Sequence, residues 1–133
     1  MRIADVMTSD LPKVQPGDSV ADAARQMADA GVKALPVCDG QRLTGIITDW
    51  DVTRAVADES ETARRPLSDY MTTDVVTVAP DTSLTDAAQV MAGPRIHHLV
   101  VRDGDRFAGM VHLDVEWSQL GMETPMATFA API

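Results

Sequence analysis

Two copies of one pattern, 64 residues apart, constrain this chain more than anything else in it: Gly45 returns as Gly109. Shifted by that interval, the halves align without a gap from residue 3 to about residue 112. Asp5, Met7, Thr8 and Asp10 meet Asp69, Met71, Thr72 and Asp74. Val14, Pro16 and Ser19 meet Val78, Pro80 and Ser83, and Asp22-Ala23-Ala24 meets Asp86-Ala87-Ala88. Leu35, Val37, Asp39-Gly40, Arg42 and Gly45 meet Leu99, Val101, Asp103-Gly104, Arg106 and Gly109. A repeat this regular means one structural unit used twice. Each copy is too small for a comfortable core of its own, so the two are expected to bury their sheets against one another as a pseudo-twofold pair. The charged segment "DESETARRP" reads as the linker. The expected divisions are 1–62 for the first repeat, 63–120 for the second and 121–133 for a C-terminal tail.

The order of elements follows from periodicity. In "SVADAARQMADAG", Val20, Ala23, Ala24, Met27 and Ala28 stand on one helix face, with Ser19 as cap and Gly31 as stop. Leu84, Ala87, Ala88, Met91 and Ala92 repeat the pattern and close at Gly93-Pro94. An apolar run follows in each copy, then Asp-Gly, then "RLTGIIT" or "RFAGMVH", which signals a hairpin. "DWDVTRAVA" and "DVEWSQLG" read as closing helices, and "IADVM" and "LSDYM" as short leading ones. The fold class is α+β, each copy running strand, helix, strand, strand, helix.

Composition excludes several classes. Net charge is −9 with pI near 4.5, so phosphate backbones and anionic membrane surfaces are disfavoured partners. No run approaches ~18 apolar residues, so no transmembrane helix is expected. "MRIADVMTSD" lacks the apolar stretch of a signal peptide, and the single cysteine, Cys38, fits a reducing cytoplasm. Cys38 in "ALPVCDG" reads as a small buried hydrophobe. Many arginines, few lysines and abundant alanine point to a high-GC bacterial genome.

Chemistry concentrates in "GIITDWDVTR". Gly45 lets a strand run close to a neighbouring backbone. Thr48 ends the strand with a hydroxyl, and Asp51 falls in the first turn of the next helix. A carboxylate there can accept two hydrogen bonds from the vicinal hydroxyls of a ribose. Arg54, three residues on, shares that helix face and can meet a phosphate beside the helix N-terminus. Against this stands a plainer reading, in which Asp49 or Asp51 caps the helix and Thr48 satisfies the strand end. An exposed arginine on a solvated face is the plain reading of Arg54. Trp50 reads as interface packing.

The order "VMT…V.P..S..DAA..M…LPV.D…L.GIIT..D" resembles the CBS domain, the module first named from cystathionine β-synthase, over residues 3 to about 120. That resemblance implies tandem pairs that bind adenosine-containing ligands: AMP, ADP or ATP foremost, S-adenosylmethionine or NAD behind them. It also implies a homodimer. "G-h-h-T-x-x-D" matches the family's ribose-binding motif at every position. Carried over residue by residue, Thr48 and Asp51 hold the ribose, while Lys13, Val14, Leu35 and Pro36 flank the adenine.

The second copy departs from the motif. In "GMVHLDV", His112 stands in place of the hydroxyl residue, and only Leu113 separates it from Asp114. Losing one residue at a helix start turns later side chains by ~100°. A weaker second site is therefore expected, drawing on Val78, Arg95, His97, His98, His112 and Asp114. Strand alternation allows only one of His97 and His98 to join His112, so no metal site is expected. The tail "GMETPMATFAAPI" either frays or covers an apolar patch or dimer seam with Met122, Met126 and Phe129.

These observations lead to a regulatory, non-catalytic, cytoplasmic homodimer that requires no cofactor. A nucleotide in the cleft between the copies would bias their relative angle, and a protein partner would read that bias. No paired-carboxylate or nucleophile–base spacing points to an enzyme. The alternative is an interaction or dimerisation module with an empty or vestigial cleft.

Overall fold

The computed structural model describes residues 1–58, 64–92, 98–116 and 126–130. They form α+β structure around three helices: α1 Val20–Ala30, α2 Asp49–Asp58 and α3 Leu84–Ala92. The strands are β1 Ala34–Asp39, β2 Arg42–Thr48, β3 Thr77–Val78, β4 His98–Asp103, β5 Arg106–Glu116 and β6 Met126–Ala130. Two short 3₁₀ helices, Ile3–Asp5 and Leu67–Asp69, stand where the leading helices were expected.

The chain divides into two compact units that do not follow chain order. Unit 1 gathers Met1–Ser9, Val76–Gly104 and Ala108–Ile133; unit 2 gathers Asp10–Val75 and Asp105–Phe107. The leading segment of each sequence copy thus sits in the unit built mainly from the other copy.

In unit 2, β1 and β2 make the expected hairpin, paired antiparallel from Ala34↔Thr48 to Asp39↔Arg42, with a bulge between Val37 and Cys38. The turn passes through Gly40 at φ 64°. Val14 runs parallel to β1: its N–H donates to the Pro36 carbonyl at 3.1 Å, and its carbonyl accepts from the Cys38 N–H at 2.8 Å. Helix α1 links these parallel segments. Ser19 caps it, accepting from the Asp22 N–H at 3.1 Å, and Gly31 ends it. Its buried face is Val20, Ala23 and Met27; Val14, Leu35, Val37, Ile47 and Leu67 are further buried apolar residues of this unit's core. Cys38 is buried too, as a small hydrophobe.

Unit 1 repeats the plan. Ser83 accepts from the Asp86 N–H at 3.1 Å at the head of α3, and β3 runs parallel to β4 through Thr77↔Val100 and Val78↔Val101. The core joins Ile3, Ala87, Ala88, Leu99, Val101 and Val111. Ile3 is drawn in by backbone bonds: its N–H donates to the Thr82 carbonyl at 2.8 Å, and that of Ala4 to the Pro80 carbonyl at 3.0 Å.

The repeated glycines explain why the leading segments are needed. Ile46 and Thr72 exchange N–H···O bonds, both 2.9 Å, so the Thr72 backbone lies directly against Gly45. A Cβ at Gly45 would stand 2.6 Å from the Thr72 carbonyl oxygen. In unit 1, Met110 and Thr8 exchange the same pair of bonds at 2.9 and 3.0 Å, and a Cβ at Gly109 would meet the Met7 sulfur at 2.7 Å.

The copies part after these glycines. Residues 114–116 were expected to open a helix; they continue β5 instead and pair antiparallel with β6, from His112↔Ala130 to Glu116↔Met126. The residues themselves supply the reason. A hydroxyl residue followed three positions later by a carboxylate can close a reciprocal cap at a helix start. His112-Leu113-Asp114 has neither the hydroxyl nor the spacing. The tail that was left open between fraying and covering contributes β6; Met122 lies outside the described residues.

Candidate functional site

Residues around the end of β2 and the head of α2 form the densest polar cluster among the described residues. Thr48 is the last residue of β2, opposite Ala34. The Asp49 N–H donates to the Lys33 carbonyl at 2.9 Å and turns the chain into α2. The Thr48 N–H and hydroxyl both donate to Asp51 Oδ2, at 2.9 and 3.0 Å. The same hydroxyl oxygen lies 3.2 Å from the Asp51 N–H, which donates to it. This reciprocal arrangement is a capping box and satisfies donors that a helix start leaves open. Arg54 Nη2 donates to Asp51 Oδ1 at 2.7 Å.

Asp51 is the one charged residue buried among the described residues, 3% exposed, while the Arg54 side chain is half-exposed. A buried carboxylate is tolerated only when hydrogen-bonded and paired, and this one is both. The plainer reading of Thr48 and Asp51 as cap residues is therefore part of the structure. A binding role would be superimposed on it.

The other expected contacts gather unevenly. Val14, Leu35 and Pro36 are buried on adjacent segments beside the Ala34↔Thr48 pair. Lys13 is exposed, and its ammonium lies 5.8 Å from the centroid of the Phe107 ring, a cation–π contact. Phe107 donates its N–H to the Gln41 carbonyl, which places that ring by the hairpin turn, the far end of β2 from Thr48. Lys13 also bears on Cys38. Burial pushes the Cys38 thiol pKa up, and the Lys13 charge pulls it back in part. Sequence reasoning missed Phe107, because nothing in periodicity tells that a residue at the start of β5 reaches a lysine nearly a hundred positions earlier. Trp50 is exposed.

Of the expected second site, Val78 is half-buried in β3, and His98 is half-buried at the start of β4. His112 and Asp114 lie on β5, opposite Ala130 and Thr128. Arg95 and His97 lie outside the described residues. Among the described residues no three His, Cys, Asp or Glu side chains group as a metal site, and no helix is long and apolar enough to cross a membrane.

Two strand–helix–strand units, the first of them followed by a Thr-x-x-Asp cap at the head of a closing helix, match the CBS domain model over residues 3–58 and again over 67–114. The chain belongs to the CBS domain family, as a tandem pair. It is 32% identical over 123 residues to the CBS domain-containing protein YhcV of Bacillus subtilis, spanning 92% of this chain and 88% of that one. Among solved structures it resembles CBSX2 in complex with AMP, with TM-score 0.74, 29% identity, and 84% and 89% of the two chains covered. It likewise resembles the CBS domain pair of protein MJ0100 in complex with 5′-methylthioadenosine and S-adenosyl-L-methionine, with TM-score 0.76, 25% identity, and 84% and 89% covered.

Proposed function

We propose that this chain is a regulatory module that binds an adenosine-containing nucleotide of the AMP, ADP or ATP type and signals occupancy to a protein partner. The observation that carries the reading is Asp51, a buried carboxylate held at the head of α2 by Thr48 and flanked by Arg54. A carboxylate so placed suits the cis-diol of a ribose, and the apolar residues Val14, Leu35 and Pro36 beside it suit an adenine. The ligands named for the two similar pairs, AMP in one and two adenosine derivatives with sulfur on the 5′ carbon in the other, support recognition of an adenosine moiety. S-adenosylmethionine and NAD are the next candidates. The module works as a cytoplasmic homodimer without catalysis; ligand acts by favouring one conformation over another.

The test is a panel of AMP, ADP, ATP, S-adenosylmethionine and NAD against purified protein, read by thermal shift and calorimetry. At least one should raise the melting temperature and bind at millimolar concentration or below, and Asp51→Ala should remove most of that binding. No heat and no shift with any of them sinks the proposal.

A second reading has an observation of its own in favour. Three hydrogen bonds from the chain itself already reach the Asp51 carboxylate, as they would in a purely structural cap. On that reading the protein is an interaction or dimerisation module whose nucleotide site is vestigial. A nucleotide found by mass spectrometry in the purified protein would eliminate it.

A further inference from the structure

A carboxylate offers about four lone-pair positions. On Asp51, Oδ2 takes two hydrogen bonds from Thr48, at 2.9 and 3.0 Å, and Oδ1 takes one from Arg54 at 2.7 Å. One position is left, on Oδ1. A ribose diol gripped by two hydrogen bonds needs two. With its side chain 5% exposed, Asp51 cannot add acceptor positions by swinging into solvent.

The two sets of partners differ in how readily they give way. Thr48 donates partly through its backbone, where β2 ends against Ala34 and α2 begins, so moving it would unmake the cap. Arg54 is half-exposed and sits on a long flexible stem, and its release leaves the helix intact.

We infer that Arg54 and the ribose diol compete for Asp51 Oδ1, so that Arg54 must let go before a ribose is held, and that this exchange selects phosphorylated ligands over the bare nucleoside. The inference rests on the proposed adenine-nucleotide reading and deepens it. A freed guanidinium one turn into α2 has lost its carboxylate. A phosphate on the ligand gives it a new bidentate partner, and the ion pair is exchanged for another. A nucleoside breaks the same pair and returns nothing. Arg54 thus penalises ribose binding in general and refunds only ligands that bring an anion.

The test is calorimetric titration of AMP and of adenosine into the full-length protein, into Arg54→Ala, into Arg54→Gln and into Asp51→Ala, with circular dichroism on each variant. In the unaltered protein AMP should bind at least ~10-fold tighter than adenosine, the scale of one charge-assisted pair. In Arg54→Ala, adenosine should bind several-fold tighter than before and AMP weaker, so that the ratio falls towards one. Arg54→Gln, which keeps most of the stem, should move both ligands in the same directions. If adenosine binds Arg54→Ala no better than the unaltered protein, while Asp51→Ala abolishes both ligands, the competition is overturned and the ribose site stands. If Asp51→Ala binds AMP as before, or if the unaltered protein binds neither ligand, the ribose reading falls and the competition with it.

Discussion

The two copies share a glycine, an apolar pair after it and an Asp-Val ending, yet one copy turns into a helix and the other runs on as a strand. In the first copy Thr48 closes β2 and its hydroxyl and N–H clasp Asp51, three residues ahead, so α2 starts at Asp49. In the second copy His112 and Asp114 are two apart, and β5 continues to Glu116 with β6 as partner. A helix start leaves four N–H groups unsatisfied, and where no side chain can take them the extended ladder is the better use of those donors. The difference teaches that one hydroxyl and one residue of spacing can decide the element that follows a strand.

The contrast is open to attack at three points. The largest effect is expected at the glycines. Gly45→Ala drives a Cβ to 2.6 Å from a backbone oxygen that cannot move without breaking the Ile46–Thr72 pair. Urea unfolding should show a loss of about 3 kcal/mol, at the upper end for overpacking. Gly109→Ala meets the Met7 side chain first, at 2.7 and 2.9 Å, which can turn aside, and the Thr8 carbonyl oxygen only at 3.1 Å, where a shift of a few tenths of an ångström suffices. Its cost should be near 1 kcal/mol. Equal costs would mean that the two close approaches are not different in kind.

The helix start comes next. Thr48→Val keeps the shape of the side chain and removes the hydroxyl that serves Asp51 twice. It should cost about 1–2 kcal/mol, as lost caps do. The converse experiment rebuilds the motif in the second copy: His112→Thr with one residue inserted after Leu113. Carbon chemical shifts for residues 114–116 should then move from strand to helix values. Unchanged strand shifts would show that pairing with β6, rather than the missing cap, holds this stretch extended.

The smallest effect concerns Cys38. Burial raises its pKa in the folded state, so the native protein keeps a proton that the unfolded chain gives up at the ordinary thiol value. Stability should be full below that value and fall as pH rises through it toward the folded-state value. Cys38→Ala should flatten the stability curve above pH ~8.5, the ordinary thiol range. A native thiol that reacts with iodoacetamide as fast as the unfolded one would contradict the burial.

Much of the architecture was legible in the repeat. Ser19, Gly31 and the Val20–Met27 face mark α1, and Asp39-Gly40 marks the hairpin, because caps, helix faces and tight turns are decided by neighbours in sequence. The Thr48–Asp51–Arg54 cluster was legible as a spacing. That Asp51 would already accept three hydrogen bonds from its own chain was not, since the occupancy of lone pairs depends on side-chain placement rather than on spacing. Nor could the pattern say that Thr72 would pair with Ile46 and Thr8 with Met110. Two segments with the same sequence motif are equally good partners on paper, and tertiary packing chooses between them. Phe107 beneath Lys13 is hidden for the same reason.

That choice of partners has a consequence for how the protein is made. Ile3 completes its core only with Leu99, Val101 and Val111. At a ribosomal rate of roughly 5–20 residues per second, the first segment must wait on the order of 5–20 seconds for those residues to appear. Leu67 and Thr72, by contrast, meet residues already synthesised when they emerge. Unit 2 can close most of its core early, whereas unit 1 joins Ile3 to residues made about a hundred positions later. The segment around Ile3 therefore stays without its core partners while residues 4 to 98 are made.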